Sequence, residues 1–350
     1  MASLEIEPPV VRHRVQGRTY LRYVIGNEGA RGRRDAGKDD AGPSALAPVE
    51  DDDDVADGDV RWVDKRNVHE MRLTVARSMK GAVLGKRKTF QGTRVRVDDV
   101  TGDECRVVIT SAVEASVRAT GDAVREICAQ VSERLPPTHF LAIPLDAASL
   151  QETVADWQCQ VAGLVEHAFD ARPYLGQRER LHVTLLMLKL HTRADVERAA
   201  ALLRDQSAAI YDLVGTRSLH LAVTGVACMQ DDPAKARTVY ASIAPNDGLR
   251  KLQAVQAHLA SQFAAAGLAA GAADEPFKAH ATLMNAAYAK GAAKGQTFDA
   301  RRIIDAFGDG FAFDPAAGAY GTKVETVSLL QRGAYEASGA YKRLAQVKLP

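Results

Sequence analysis

His182-Val183-Thr184-Leu185-Leu186-Met187-Leu188 and His280-Ala281-Thr282-Leu283-Met284-Asn285 share one form, His-x-Thr followed by apolar residues. Their reading decides the fold. A strand sends successive side chains to opposite faces, so His182 and Thr184 share one face while Val183 and Leu185 share the other. His280 and Thr282 are likewise separated from Ala281 and Leu283. Two such strands would present two imidazoles and two hydroxyls to one cleft. A single His-x-Thr carries no such weight, because a lone strand histidine is ordinarily a core or edge residue. The repetition is the signal.

The residue types suit phosphodiester cleavage without a metal. That reaction needs a base for the attacking oxygen and an acid for the leaving oxygen, and imidazole titrates near neutrality, so one histidine can be neutral while the other is charged. Threonine hydroxyls on the same face can donate to phosphoryl oxygens. No cluster of Asp, Glu or Cys at metal-ligand spacing accompanies the motifs, so neither a metal nor another cofactor is expected. His139, His167, His191, His220 and His258 lack the threonine partner and receive no role.

At 350 residues the chain exceeds one ordinary core, so two or three domains are expected. Hydrophobic residues at 46% and charged residues at 25% fit a globular protein, and a net charge of +1 argues against wholesale coating of nucleic acid. No apolar run approaches the roughly 20 residues of a membrane span, and the N-terminus lacks a secretory pattern. A soluble intracellular protein with no membrane partner is the expectation. Cys105, Cys128, Cys159 and Cys228 lie far apart with no Cys-x-x-Cys pair, and are read as buried small residues.

Three parts are expected along the chain. Residues 1–60 hold a strand at Val10 to Val15, a Gly-Arg-Thr-Tyr turn, and from Asn27 to Asp59 a disordered acidic linker too poor in apolar residues to offset its ordering entropy. Arg31, Arg33 and Arg34 are read as a solvated charge cluster in it. Residues 61–135 read as a small α+β unit: strands at Met71–Val75, Thr93–Val97 and Cys105–Thr110, a Gly85–Lys88 loop, and a helix over 112–134 closed by Pro136-Pro137. Residues 138–350 read as one larger domain with a motif strand in each of two lobes. Its expected helices include 148–169, 193–211 and 247–267, and its strand 220–229 is broken or bulged near Gly225.

These residues resemble the two-histidine phosphoesterase superfamily, which includes bacterial RNA 2′,3′-cyclic phosphodiesterases and the nuclear-localisation domain of an A-kinase anchoring protein. Thr138-His139-Phe140-Leu141-Ala142, Leu181-His182-Val183-Thr184, Asp231-Asp232-Pro233, His280-Ala281-Thr282-Leu283-Met284-Asn285 and Gln331-Arg332 resemble a branch in which a KH domain precedes the phosphoesterase domain. The resemblance implies His182, Thr184, His280 and Thr282 as the catalytic and phosphate-binding set. Arg332 is added as a phosphate contact, against a surface or structural role. The branch also implies a nuclear transcription-coactivator and alkylation-repair complex with a helicase and a ubiquitin-binding subunit.

A KH domain clamps single-stranded RNA with a Gly-x-x-Gly loop. Gly85, Lys86, Arg87 and Lys88 resemble that loop, but Lys88 stands in place of the second glycine and there is no room for the full helix that normally follows. The expected fold is therefore α+β, a small degenerate KH domain followed by a bilobal two-histidine phosphoesterase domain. The expected function is a phosphodiesterase acting on RNA or cyclic phosphodiesters, with a non-catalytic nucleotide or RNA-end recognition module as the competing reading.

Overall fold

A computed structural model describes residues 10–15, 18–23, 56–86, 89–100, 102–165, 168–271, 276–308 and 322–350. The chain divides into two units, Met1–Asp54 and Val55–Pro350. In the first, β1 (Val10–Val15) pairs antiparallel with β2 (Arg18–Tyr23). The expected strand is present. Arg18, Thr19 and Tyr20, read as part of a turn, instead belong to β2. The linker expected over 27–59 lies outside the described residues up to 55.

The second unit begins with a four-stranded antiparallel sheet in the order β3-β4-β6-β5, from β3 (Val60–Val63), β4 (Val68–Ala76), β5 (Arg94–Asp99) and β6 (Glu104–Ser111). Alternation puts Met71, Leu73 and Val75 of β4 and Cys105, Val107 and Ile109 of β6 on one face. There they form an apolar core with Val83 of α1 (Lys80–Lys86) and Val117 and Val124 of α2 (Glu114–Arg134). Gly85 and Lys86, expected in a loop, end helix α1; Arg87 and Lys88 lie outside the described residues.

The larger sheet has seven strands in the order β10-β11-β12-β8-β7-β14-β15. These are β7 (His139–Pro144), β8 (His182–Leu188), β10 (Val223–Cys228), β11 (Thr238–Ile243), β12 (His280–Asn285), β14 (Thr326–Tyr335) and β15 (Tyr341–Lys348). A separate pair joins β9 (Leu219–Leu221) to β13 (Thr322–Val324). The two expected lobes are thus two halves of one sheet, β10-β11-β12 and β8-β7-β14-β15, and the motif strands β12 and β8 are the neighbours that meet. No helix among the described residues is long and apolar enough to cross a membrane.

Helices α3 (Ala148–Val165), α4 (Arg193–Asp205), α5 (Ser207–Val214), α6 (Asp247–Ala265) and α7 (Arg301–Phe307) supply the main core. Trp157 and Val161 of α3, Leu203 of α4 and Leu252, Leu259 and Phe263 of α6 join Leu141, Ile143, Val183, Leu185 and Leu283 of the strands. Each such side chain contributes roughly 1.5–3 kcal/mol on burial. Phe140, Ala142 and Leu330 form a small separate cluster with Met187 and Tyr341. Phe140 and Ala142 of β7 therefore face away from the main core, on the side opposite Leu141 and Ile143.

The helix expected over 193–211 is two helices, parted at Gln206 (φ −81°, ψ 0°). The bulge near Gly225 is present: the register shifts between Thr224 and Val226, and Gly225 has φ +63°, which glycine adopts without strain. Of the four cysteines expected to be buried, Cys105 is, whereas Cys159 is exposed on α3.

Candidate active site

Val183 of β8 pairs with Ala281 of β12, antiparallel. One step to either side, that register sets His182 opposite Thr282 and Thr184 opposite His280. All four point away from the helices: Val183, Leu185, Ala281 and Leu283 are buried beneath them, and the histidines and threonines are half-buried. The diagonal separation of the two histidines is about 7 Å at the strand, near enough for their charges to interact.

Both imidazoles are held the same way. His182 Nδ1 donates to the Arg180 carbonyl at 2.7 Å, and His280 Nδ1 donates to the Lys278 carbonyl at 2.8 Å. A carbonyl only accepts, so each Nδ1 carries the proton and each Nε2 is left for chemistry. His220 makes the same type of bond to the Ser218 carbonyl at 3.1 Å, so the bond alone does not mark a site. What is particular to His182 and His280 is its occurrence on facing strands beside two threonines.

Burial pushes the His182 imidazole below its ordinary value, the Arg180 carbonyl opposes that, and the His280 charge adds to it. Burial likewise lowers His280, with the Lys278 carbonyl opposing and the Lys278 ammonium adding.

Aromatic rings wall the cleft. Phe140 lies 5.0 Å from His182 and Tyr341 lies 5.5 Å from it, edge-on, while Tyr335 stands 5.6 Å from Tyr341. On the other side Tyr240 meets the His280 ring edge-on at 5.3 Å. The residue two before each histidine is a cation lying on one of these tyrosines: the Arg180 guanidinium is 3.5 Å from the Tyr335 ring centre, and the Lys278 ammonium 4.7 Å from that of Tyr240. Arg180 Nε also donates to the Gly339 carbonyl at 2.9 Å, clasping the β14–β15 turn. Tyr288 closes the group; desolvation, with Tyr341 and Tyr335 adding and Arg180 opposing, pushes its hydroxyl up to about 12. Sequence reasoning singled out none of these tyrosines, nor Arg180 or Lys278. The cations two residues before each motif histidine were the available signal.

Arg332 is not brought to the histidine pair. Its neighbour Gln331 pairs with His139, at the end of β7 away from the Pro144–His182 pair, and its guanidinium donates to the Pro137 carbonyl at 3.3 Å. It borders a cavity of about 940 Å³ shared with Arg77, Glu104, His139, His191 and Arg193. Its charge does reach Tyr341, where it opposes the upward push of burial on that hydroxyl. Gly85 and Lys86, at the end of α1, belong to the smaller sheet. Among the described residues no three His, Cys, Asp or Glu side chains gather into a metal-binding set.

The family profile described as the AKAP7 2′5′ RNA ligase-like domain matches residues 137–349, and the chain belongs to that family. It is similar to mouse activating signal cointegrator 1 complex subunit 1, 28% identical over 187 residues that make up 53% of this chain and 52% of that protein. The chain thus spans about half the length of that curated relative. Among solved structures it is similar to a phosphoesterase (21% identity, 61% of this chain and 99% of that chain, TM-score 0.38). It is also similar to E. coli LigT complexed with 3′-AMP (22% identity, 61% and 99%, TM-score 0.36).

Proposed function

We propose that the cleft between β8 and β12 performs metal-independent acid–base chemistry on a phosphodiester at an RNA end, a 2′,3′-cyclic phosphate or a 2′,5′ linkage. One observation carries this reading: two histidines on facing strands, each with Nδ1 spent on a carbonyl and Nε2 directed to a shared face with two threonines. In hydrolysis, Nε2 of one histidine takes a proton from water as the oxygen–phosphorus bond forms. Protonated Nε2 of the other gives a proton to the leaving oxygen as its bond to phosphorus breaks. Thr184 and Thr282 donate to the non-bridging oxygens.

The test is incubation with cyclic-phosphate and 2′,5′-linked oligonucleotides in EDTA, beside His182→Ala and His280→Ala variants. Turnover by wild type that is lost in both variants is the expected result. Absence of turnover with retained binding would mean a nucleotide or RNA-end recognition module. Burial favours that second reading, because it lowers both imidazoles and so disfavours the protonated acid that the reaction needs.

We further infer membership of an activating signal cointegrator complex, in the nucleus, beside its helicase and ubiquitin-binding subunits; similarity to a subunit of that name supports this. Co-purification of those subunits with the tagged chain from nuclear extract tests it. The division at 61–135 and 138–350 and the KH-like character of the smaller part belong to the same reading, with Lys86 and its neighbours near the RNA. A Lys86→Glu/Arg87→Glu variant that keeps full affinity for single-stranded RNA would remove these two residues from it.

A further inference from the structure

The smaller sheet has a second face, turned away from α1 and α2, and arginine dominates it. Alternation places Arg61 of β3, Arg72 of β4, Arg94 and Arg96 of β5 and Arg106 of β6 on that side, because their neighbours Met71, Leu73, Val95, Val97, Cys105 and Val107 face the core. The register stacks them into rows: Arg72 beside Val108 beside Arg96, and Thr74 beside Arg106 beside Asp98. Arg66, in the turn before β4, joins them through its bond to Glu70. Six guanidinium groups thus share one face with three carboxylates, Glu70, Asp98 and, at its edge, Glu104, in a chain whose net charge is only +1.

The face is built rather than merely charged. The Glu70 side chain is 3% exposed and is held by Arg61 at 3.0 Å, Arg72 at 2.9 Å and Arg66 at 3.4 Å. Burial opposes its ionisation, and the Arg61 and Arg72 hydrogen bonds outweigh burial and hold the carboxyl below its ordinary value. One buried anion therefore fixes three cations at the surface. Asp98 pairs with Arg96 at 2.8 Å, both groups being exposed to water. Arg94 and Arg106 have no acidic partner among the described residues. Val108, at the centre of the outward side, is only 6% exposed, as expected when arginine stems lie across it. A cavity of about 570 Å³ opens here, lined by Arg66, Arg94, Arg96, Thr110, Gly92 and Val108.

We propose that this arginine face binds the sugar–phosphate backbone of single-stranded nucleic acid, independently of base sequence. Guanidinium forks match phosphate oxygens in pairs, and arginine gives up water more readily than lysine does. Arg94 and Arg96 stand about 6.7 Å apart along β5, the scale of the step between successive phosphates of an extended strand. Among the described residues the face carries no aromatic ring on which a base could stack, so binding reads charge and not sequence. The face is distinct from the His182–His280 site and from Lys86 at the end of α1, and does not depend on catalysis.

The experiment uses the full chain and a fluorescent uridine-rich oligonucleotide with 2′-O-methyl sugars, which lacks the 2′-hydroxyl needed for internal attack. Anisotropy is followed across a salt series for wild type, Arg94→Glu/Arg96→Glu and the milder Arg94→Ala/Arg96→Ala. Wild-type affinity should fall steeply with salt, and the Ala/Ala variant should lose roughly tenfold in affinity at low salt. Its log–log slope should be shallower by about 1.4, the change for two lost contacts on a single strand. The Glu/Glu variant should lose more. An unchanged melting temperature in Ala/Ala separates this from unfolding. Equal affinity and slope in wild type and Ala/Ala overturn the proposal, as does a polyglutamate peptide of matched charge that binds as tightly, which would assign the face to an acidic protein. Failure of turnover at the cleft leaves these readings unaffected.

Discussion

Val183 and Ala281 meet across the junction of β8 and β12, and this pairing sets each histidine opposite the other strand's threonine. His182 faces Thr282 and His280 faces Thr184, so each imidazole stands beside a hydroxyl from the other half of the sheet. A phosphate between the strands would meet one acid–base group and one donor from each side.

Replacing either histidine by alanine is therefore expected to lower kcat by roughly 10²–10⁴. Thr184→Val or Thr282→Val should cost roughly 10²–10³, the range for one lost donor to a developing charge. Single-turnover assays on a cyclic-phosphate oligonucleotide check both.

The dependence of kcat/KM on pH reports the groups of the free enzyme. Both imidazoles lie below the usual 6.5, so both limbs of the bell should fall below that pH. Lys278→Met removes the ammonium that helps depress His280. One limb should then move to higher pH; a profile that stays in place would mean that His280 does not titrate in the reaction.

Arg180 supplies a carbonyl to His182 and a side chain to Tyr335 and Gly339. Arg180→Gln keeps the carbonyl and loses the stacking cation. Its expected effect is a KM for nucleotide substrates raised about tenfold, with a smaller change in kcat, since a cation–π contact away from bulk water is worth up to about 2 kcal/mol. Arg180→Lys should recover part of the loss, because the charge over the ring remains.

His139 is 5% exposed, and burial first, with His191 adding, pushes it to about 4. The unfolded chain takes up a proton near 6.5, so the folded state binds fewer protons between the two values. The stability this neutral ring allows is complete above pH 6.5 and is lost as pH falls towards 4, by about 2–3 kcal/mol. Urea titrations at neutral pH and near pH 4 should show a smaller difference for His139→Gln than for wild type.

Gly248 is buried at the start of α6, where a Cβ would run into the His220 carbonyl. Gly248→Ala must displace α6 or β9, at an expected cost of about 2 kcal/mol or more. A lowered melting temperature checks it.

The motif strands were legible because alternation and repetition are local properties of sequence. The bulge was legible from Gly225 itself, a glycine that interrupts a strand pattern. Other features depend on partners distant in the chain. Gln206 breaks α4 from α5 without glycine or proline, in a turn where its side chain takes a bond from His258. Arg332 looked like a cleft residue from its place after Gln331, but the register with His139 carries it to the far end of β7. Tyr341 reaches His182, with Tyr335 beside it, only because β14 lies against β7, a pairing across nearly two hundred residues that no local pattern announces. The arginine face was hidden by a net charge near zero.

The clasp of Arg180 on the turn at Gly339 separates two kinds of change. The two motif histidines sit on interior strands, where a substitution disturbs the sheet around them. Tyr335 and Tyr341 flank a terminal hairpin whose tip can vary in length or composition without moving a motif strand. Selection acting on that tip could redirect such a protein from one RNA end to another while its reaction stayed the same, and orthologues should diverge there first.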